Sequence, residues 1–344
     1  MVAQTHDVVV IGGGIIGASI AWRLAQAGAA VTLVDAGALG AEASWAGAGM
    51  LAPGGEFVTR SRWAAFALES LAMYPAFVAE LESETGAGID FLRCGAFEAA
   101  RTEADWQELL ARRAAQQELG IRVEVTVGGF FYPDDSLVDP RDVTRALECA
   151  CRKRGVRICE RTRVHAVRVA GKRAEVETSG GVLSGSAAVL AAGAWSGSIP
   201  VHGEDGPVAI PATFPVRGHL LGYALEPGAV GPILRHGHTY VMQRSSGLTI
   251  AGTSSEQVGF NRDLDPAIVN DIRERAASLL PLLQSASEPT AWLGFRPATE
   301  GFEPVIGRLA DTCLWLAYGH YRNGILLAPA TAARVRDEIA AVAV

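Results

Sequence analysis

The chain has 344 residues, 49% of them hydrophobic, and a formal net charge of −7. That length supports two domains, or one domain interrupted by another. The negative charge argues against nucleic acid as a partner, and no apolar stretch free of glycine and charge approaches membrane-spanning length, so a cytoplasmic enzyme with no membrane association is expected.

The first apolar run, Val8 to Ile11, has no basic region before it, which argues against an export signal. Its β-branched residues suit a buried parallel strand. The strand ends in Gly12-Gly13-Gly14-Ile15-Ile16-Gly17, which sets Gly12, Gly14 and Gly17 at dinucleotide-fold spacing. Gly12 permits the tight turn, Gly14 lets a pyrophosphate approach the backbone, and Gly17 lets the following helix pack on the strand. The helix runs through Ile20, Ala21 and Leu24 and stops at Gly28. A second strand, Val31 to Val34, delivers Asp35, an acceptor for ribose hydroxyls that would repel a 2′-phosphate. On this evidence FAD and NAD remain equally open.

Ser44 to Pro53 is rich in small residues and would let a flat ring lie against backbone. Helices are expected over Trp63–Tyr74 and Pro75–Glu84, split at Pro75, and over Glu103–Leu119. Asp139-Pro140 has the N-cap and first-turn arrangement of a helix that continues from Arg141 to Arg154. A strand Val156–Cys159 follows, then a hairpin of Thr162–Val169 and Ala174–Thr178. The strand Ala187–Ala192 ends in a second glycine turn, Gly193-Ala194-Trp195.

Beyond it come strands at Pro215–Tyr223, His238–Arg244 and Leu248–Ala251, a helix from Pro266 to Leu280, and strands at Ala291–Arg296 and Leu314–Ala317. Gly319 to Pro329 then turns from a polar cluster into an apolar run. That pattern suits a loop opening onto a buried helix whose free N–H groups stabilise an anionic group. These segments alternate between two domains: a nucleotide domain over 1–88, 138–213 and 289–344, and a substrate domain over 89–137 and 214–288. The five cysteines, Cys94, Cys149, Cys151, Cys159 and Cys313, form no C-x-x-C pair and read as thiols in a reducing compartment. Cys149 and Cys151 fall on different faces of one helix. His236 and His238 would share a strand face without a third ligand, so no metal is expected.

The glycine motif with Asp35, Ala46-Gly47-Ala48-Gly49-Met50-Leu51, Arg217-Gly218, Gly294-Phe295-Arg296-Pro297-Ala298-Thr299 and Gly319–Pro329 together carry a resemblance. Over essentially its whole length the chain resembles the D-amino acid oxidase superfamily of FAD-dependent oxidoreductases, and within it the glycine oxidase type of the thiamine pathway. The resemblance implies an α/β fold: a Rossmann-like FAD-binding domain with an interleaved α+β substrate domain containing an antiparallel sheet. It also implies FAD, held non-covalently because Cys313 lacks the context of a flavin-attaching cysteine.

By the same resemblance, Arg296 binds the substrate carboxylate with help from Tyr240, and Arg322 stands near the flavin. The implied cofactor contacts are Gly12, Gly14, Ile15, Ile16, Gly17, Asp35 and Ala36 at the start of the chain. Ser44, Ala46, Gly47, Gly49 and Met50 follow, then Arg163 and Val164 at the adenine, and Ala192, Gly193 and Trp195. Arg296, His320, Tyr321, Arg322, Asn323, Gly324 and Ile325 complete the set. The expected partners are a small amino acid and molecular oxygen, in a homotetramer. Glycine would be oxidised by hydride transfer, giving glyoxylate, ammonia and hydrogen peroxide. A dehydrogenase using another electron acceptor, or an oxidase of an N-substituted glycine or a D-amino acid, is the alternative. Gln243 and Ser255 depart from the family pattern and are expected to face or flank the pocket. Such chemistry mainly requires orientation of the substrate, and neither His219 nor His238 is expected to act as a base.

Overall fold

A computed structural model describes residues 7–342. Residues 1–6, on which the reading of an absent basic leader rests, and residues 343–344 lie outside them.

Six strands form the first sheet, in the order Val305–Arg308, Leu314–Tyr318, Ala187–Leu190, Asp7–Ile11, Ala30–Val34 and Arg157–Cys159. All pairings are parallel except that of the edge strand Val305–Arg308. Side chains alternate across a strand, so its two faces feed two cores. Val8 and Val10 join a core with the helices Ile15–Gln26, Arg62–Thr85, Pro140–Lys153 and Gly324–Val342. Val9 and Ile11 join another with Val167, Val169 and Val176 of a five-stranded sheet on the opposite face.

The third sheet has eight strands. Their order is Thr290–Thr299, Thr213–Ala224, Leu248–Gly252, Thr239–Gln243, Ile233–His236, Ala96–Ala99, Gly129–Tyr132 and Glu124–Thr126. It is antiparallel apart from the pairing of Ile233–His236 with Ala96–Ala99. The same alternation operates here: Leu221, Val241 and Ala251 pack under the helix Pro266–Leu279, whereas Leu220, Tyr240 and Ile250 belong to a separate core on the other face.

The structure departs from the expected elements in three places. Pro75 does not divide two helices, because a single helix spans Arg62–Thr85. Proline removes one N–H donor and disfavours a helix interior by about 3 kcal/mol. Against that cost stands one buried stripe, Ala67, Ser70, Tyr74, Phe77 and Leu81, that continues through the proline. Ser70 and Tyr74 also donate to the Leu326 and Ile325 carbonyls at 2.7 and 2.5 Å. By length and composition alone the joined helix would qualify to cross a membrane, but it is not free of charge, since Glu69 and Glu80 interrupt its apolar run. It packs as a core helix against Gly324–Val342 and Pro140–Lys153.

Arg296-Pro297 lies within the strand Thr290–Thr299. That strand is an edge, where a proline lacking its N–H is tolerated, and it hydrogen-bonds to Thr213–Ala224 in the eight-stranded sheet, although the sequence boundary at 289 assigns it to the nucleotide domain. His236 and His238 do not share a strand face. His236 ends one strand, and His238 is exposed in the turn before Thr239–Gln243. Among the described residues no group of three or more His, Cys, Asp or Glu side chains is arranged to hold a metal ion.

Candidate active site

The glycine loop is shaped by contact distances. Gly12 has φ +103°, and a Cβ there would lie 2.4 Å from the Ala191 carbonyl oxygen. A Cβ at Gly17 would lie 1.8 Å from the Gly12 carbonyl oxygen, so the helix can press onto the loop only without a side chain there. This places the positive end of the helix Ile15–Gln26 at the mouth of the strand, with no acidic residue in its first turn. The Ile15 N–H donates to Ser44 Oγ at 2.9 Å, which ties the small-residue segment to the helix start. Asp35 accepts from the N–H groups of Gly13 and Gly37, each at 2.7 Å. Burial raises the pKa of its carboxyl, and these two hydrogen bonds oppose the rise.

From this loop a cavity of about 680 Å³ extends to the face of the eight-stranded sheet. Every site residue expected from the sequence lines it except Gly17, which acts through packing. At one end lie Asp35, Arg163 and Val164. Val164 stands opposite Thr178, and the neighbouring bond runs from the Ser179 N–H to the Arg163 carbonyl at 2.9 Å. Val164 is therefore in a wide, non-hydrogen-bonded pair, and its own amide and carbonyl turn away from the partner strand. The middle holds the helix start. The far end is walled by Ala46, Gly47, Gly49 and Gly294 together with Tyr321 to Ile325. A Cβ on Gly294 would lie 2.5 Å from the Ala46 Cβ, and one on Gly47 would lie 2.8 Å from Ile325 Cδ1.

An acidic and backbone-rich end, an anion-favouring helix terminus and a close-walled slot form the sequence of surfaces that an adenosine, a pyrophosphate and a flat ring require. The residues present therefore fit FAD. Among the described residues no cysteine lines the cavity.

Arg296 and Tyr240 meet at the ring end. The Arg296 guanidinium donates to Thr253 Oγ1 at 2.7 Å and to the Ser254 carbonyl at 3.0 Å. It lies over Gly218, where a Cβ would come within 2.4 Å of its nitrogens. Burial lowers the pKa of Arg296. Burial pushes Tyr240 up to about 12, against the nearby positive charges of Arg296, Arg322 and Arg244. Tyr240 is thus a neutral hydroxyl, able to donate, throughout the neutral range.

Arg322 pairs with Glu56 at 2.8 Å, and both line the cavity. His320 is buried beside Thr331, with Nε2 3.1 Å from the hydroxyl, and burial lowers its pKa to about 3, so it is a neutral wall residue. Trp195 stacks on Phe260 with ring centroids 4.7 Å apart.

Gln243 does not face the cavity. It is buried, and its amide organises the 226–230 loop by accepting from the N–H groups of Gly228 and Val230 and donating to the Glu226 carbonyl. Its polar side chain signalled a departure from the family, but which way it points was set by the sheet. Ser255 flanks the site through Tyr321, with the two hydroxyl oxygens 3.5 Å apart. Glu42, Glu56, Thr253 and Arg262 also line the cavity and were not anticipated, because none stands in a recognisable motif.

The chain matches the family model "FAD dependent oxidoreductase" (DAO) over residues 7–338. It is 31% identical to the glycine oxidase of Geobacillus kaustophilus, over 96% of this chain and 92% of that protein. It is 33% identical to the bifunctional protein ThiO/ThiG of Trichormus variabilis, over 98% of this chain and 53% of that longer protein. The crystal structure of the Geobacillus kaustophilus glycine oxidase superposes with a TM-score of 0.91 at 30% identity, covering 98% of this chain and 95% of that one. With a cavity shaped for a flavin dinucleotide and a family match spanning nearly all described residues, the chain belongs to the DAO family of FAD-dependent oxidoreductases.

Proposed function

We propose that the protein oxidises glycine and other small primary or secondary amino acids, with molecular oxygen as the final acceptor. The observation that carries this reading is the placement of Arg296 beside Tyr240 at the ring end of the FAD cavity. Arg296 offers a planar fork suited to a carboxylate, which lysine lacks. Tyr240 donates a second hydrogen bond to the same group, and its protonated state persists across the working pH range. Held at that end, the substrate presents its α-carbon to the ring and its amine to the neighbouring carbonyls and carboxylates. FAD, when bound, would supply the redox chemistry, acceptance of a hydride and its return to oxygen as hydrogen peroxide.

The helix start at Ile15–Gly17, Ser44 and the Asp35 carboxylate hold the dinucleotide, and the Arg163-Val164 backbone holds the adenine. Ala46 to Met50 and His320 to Ile325 enclose the ring. Arg322 serves the ring side of the site while Glu56 balances its charge. Two interleaved domains follow from the same reading, with the strand Thr290–Thr299 placed in the substrate domain. A homotetramer in the cytoplasm agrees with the resemblance.

The test is an aerobic assay of the purified flavoprotein with glycine, sarcosine and D-alanine, paired with anaerobic visible spectra. Stoichiometric hydrogen peroxide and bleaching of the flavin bands by glycine are expected. A protein inert to all three would overturn the choice of substrate, and bleaching without peroxide would overturn oxygen as the acceptor.

A further inference from the structure

The Arg217-Gly218 motif is only half explained by the site described so far. Gly218 makes room for the Arg296 fork, but Arg217 points the other way and does not line the cavity. It is 5% exposed, and its guanidinium grips the 253–265 segment, which joins the strand Leu248–Gly252 to the helix Pro266–Leu279. Nε donates to Glu256 Oε2 at 2.9 Å, and Nη2 pairs with the same oxygen. Nη1 donates to Asn261 Oδ1 at 3.2 Å and to the Asp263 carbonyl at 3.0 Å. The backbones of Arg217 and Glu256 also exchange hydrogen bonds of 2.8 and 3.0 Å.

His219, fully buried one turn of the pleat away, completes the anchor. Its Nε2 accepts from the Asp265 N–H at 3.2 Å. Nδ1 therefore carries the proton, and it lies 3.0 Å from both Glu256 Oε1 and Ser254 Oγ. The Ser254 hydroxyl in turn donates to Glu256 Oε1 at 2.6 Å. Burial alone would raise the pKa of the Glu256 carboxyl, but its hydrogen bonds from Ser254 and Arg217 and the nearby Arg217 charge bring it below the usual value.

This segment supplies both principal acceptors of Arg296, namely Thr253 Oγ1 and the Ser254 carbonyl. A third, longer contact at 3.4 Å goes to the carbonyl of Arg217 itself. The geometry points to Arg217, acting through Glu256, as a positioning residue that sets the direction of the Arg296 fork and so determines how tightly the substrate carboxylate is bound. The inference rests on the assignment of Arg296 to that carboxylate. A guanidinium with free choice of rotamer would lose much of its advantage, because a misplacement of the order of 1 Å is enough to disrupt a bidentate pair.

The test compares Arg217→Met, Glu256→Gln and Arg296→Ala with the wild-type holoenzyme. Acetate, an unreactive carboxylate, is titrated against the visible flavin spectrum, and KM and kcat for glycine are measured beside bound FAD and Tm. Arg217→Met is expected to raise the acetate Kd and the glycine KM by roughly ten- to a hundredfold, with a smaller fall in kcat and unchanged bound FAD. Glu256→Gln should shift Kd and KM in the same direction by less, and it decides the matter if Arg217→Met does not fold. Wild-type acetate affinity in folded, flavin-loaded Arg217→Met and Glu256→Gln, with affinity lost in Arg296→Ala, would overturn this inference alone. Unchanged affinity in Arg296→Ala would overturn the carboxylate assignment and this inference together.

Discussion

The two ends of the cavity are built in different ways. The cofactor end is largely backbone: Gly12, Gly14 and Gly17 act through missing side chains, and the helix start acts through its N–H groups. The proposed substrate end consists of groups from separate segments: Tyr240 pairs with Gly252 across the sheet, and Thr253, just beyond that strand, accepts from Arg296. Backbone sites depend on local chain geometry and fail abruptly when a Cβ intrudes. Side-chain sites depend on neighbours distant in sequence and lose affinity in steps.

The largest effect should come from breaking the backbone end. Gly17→Val adds atoms where even a Cβ would lie 1.8 Å from the Gly12 carbonyl oxygen. The purified variant should carry little FAD by its visible absorbance, and a full flavin complement would break the contrast between the two ends. At the other end, Arg296→Ala should keep its flavin but weaken substrate binding by about 3 kcal/mol or more, read from KM and from the acetate Kd, if the carboxylate pair is desolvated.

A third test separates wall residues from working ones. The folded pKa of His320 is about 3, below its ordinary 6.5. As pH falls through that window the unfolded chain takes up the proton first, so the stabilisation present above 6.5 is lost toward pH 3, by up to about 1.4 kcal/mol per pH unit. Urea unfolding of His320→Asn should lack that part of the slope between pH 6 and about 4. An identical slope in wild type and variant would mean that His320 is solvated. The smallest effect is expected from Tyr240→Phe, which removes one hydrogen bond to the substrate, worth about 1 kcal/mol. A several-fold rise in KM with bound FAD unchanged would agree, and loss of flavin would move Tyr240 to the cofactor side of the comparison.

The cofactor end was readable in the chain because its determinants are close together. Gly12 to Gly17 and Asp35 sit within one strand–helix–strand unit, and their spacing alone implies the turn, the helix start and the acidic strand end. Arg296 and Tyr240 were reached only through resemblance, since an isolated arginine and a strand tyrosine look the same wherever they point. Gln243 illustrates the limit: it stands three residues beyond the cavity-lining Tyr240 on the same strand, and that odd step puts it on the opposite face of the sheet. Pro75 illustrates another, because a local helix breaker was outweighed by a buried stripe whose partner lies some 250 residues further on.

By itself the sequence determined the nucleotide-binding strand–helix–strand unit and the chemistry of most side chains that line the cavity. Short-range sterics and periodicity are written into neighbouring residues, and they suffice for those conclusions. The tertiary structure alone decided that Arg296 lies within an edge strand, that Thr253 and Ser254 hold its fork, and that Arg217 and Glu256 hold them in turn. Those contacts join residues some 40 to 80 positions apart. Pairing register is set by burial of whole sheet faces, which no local pattern records.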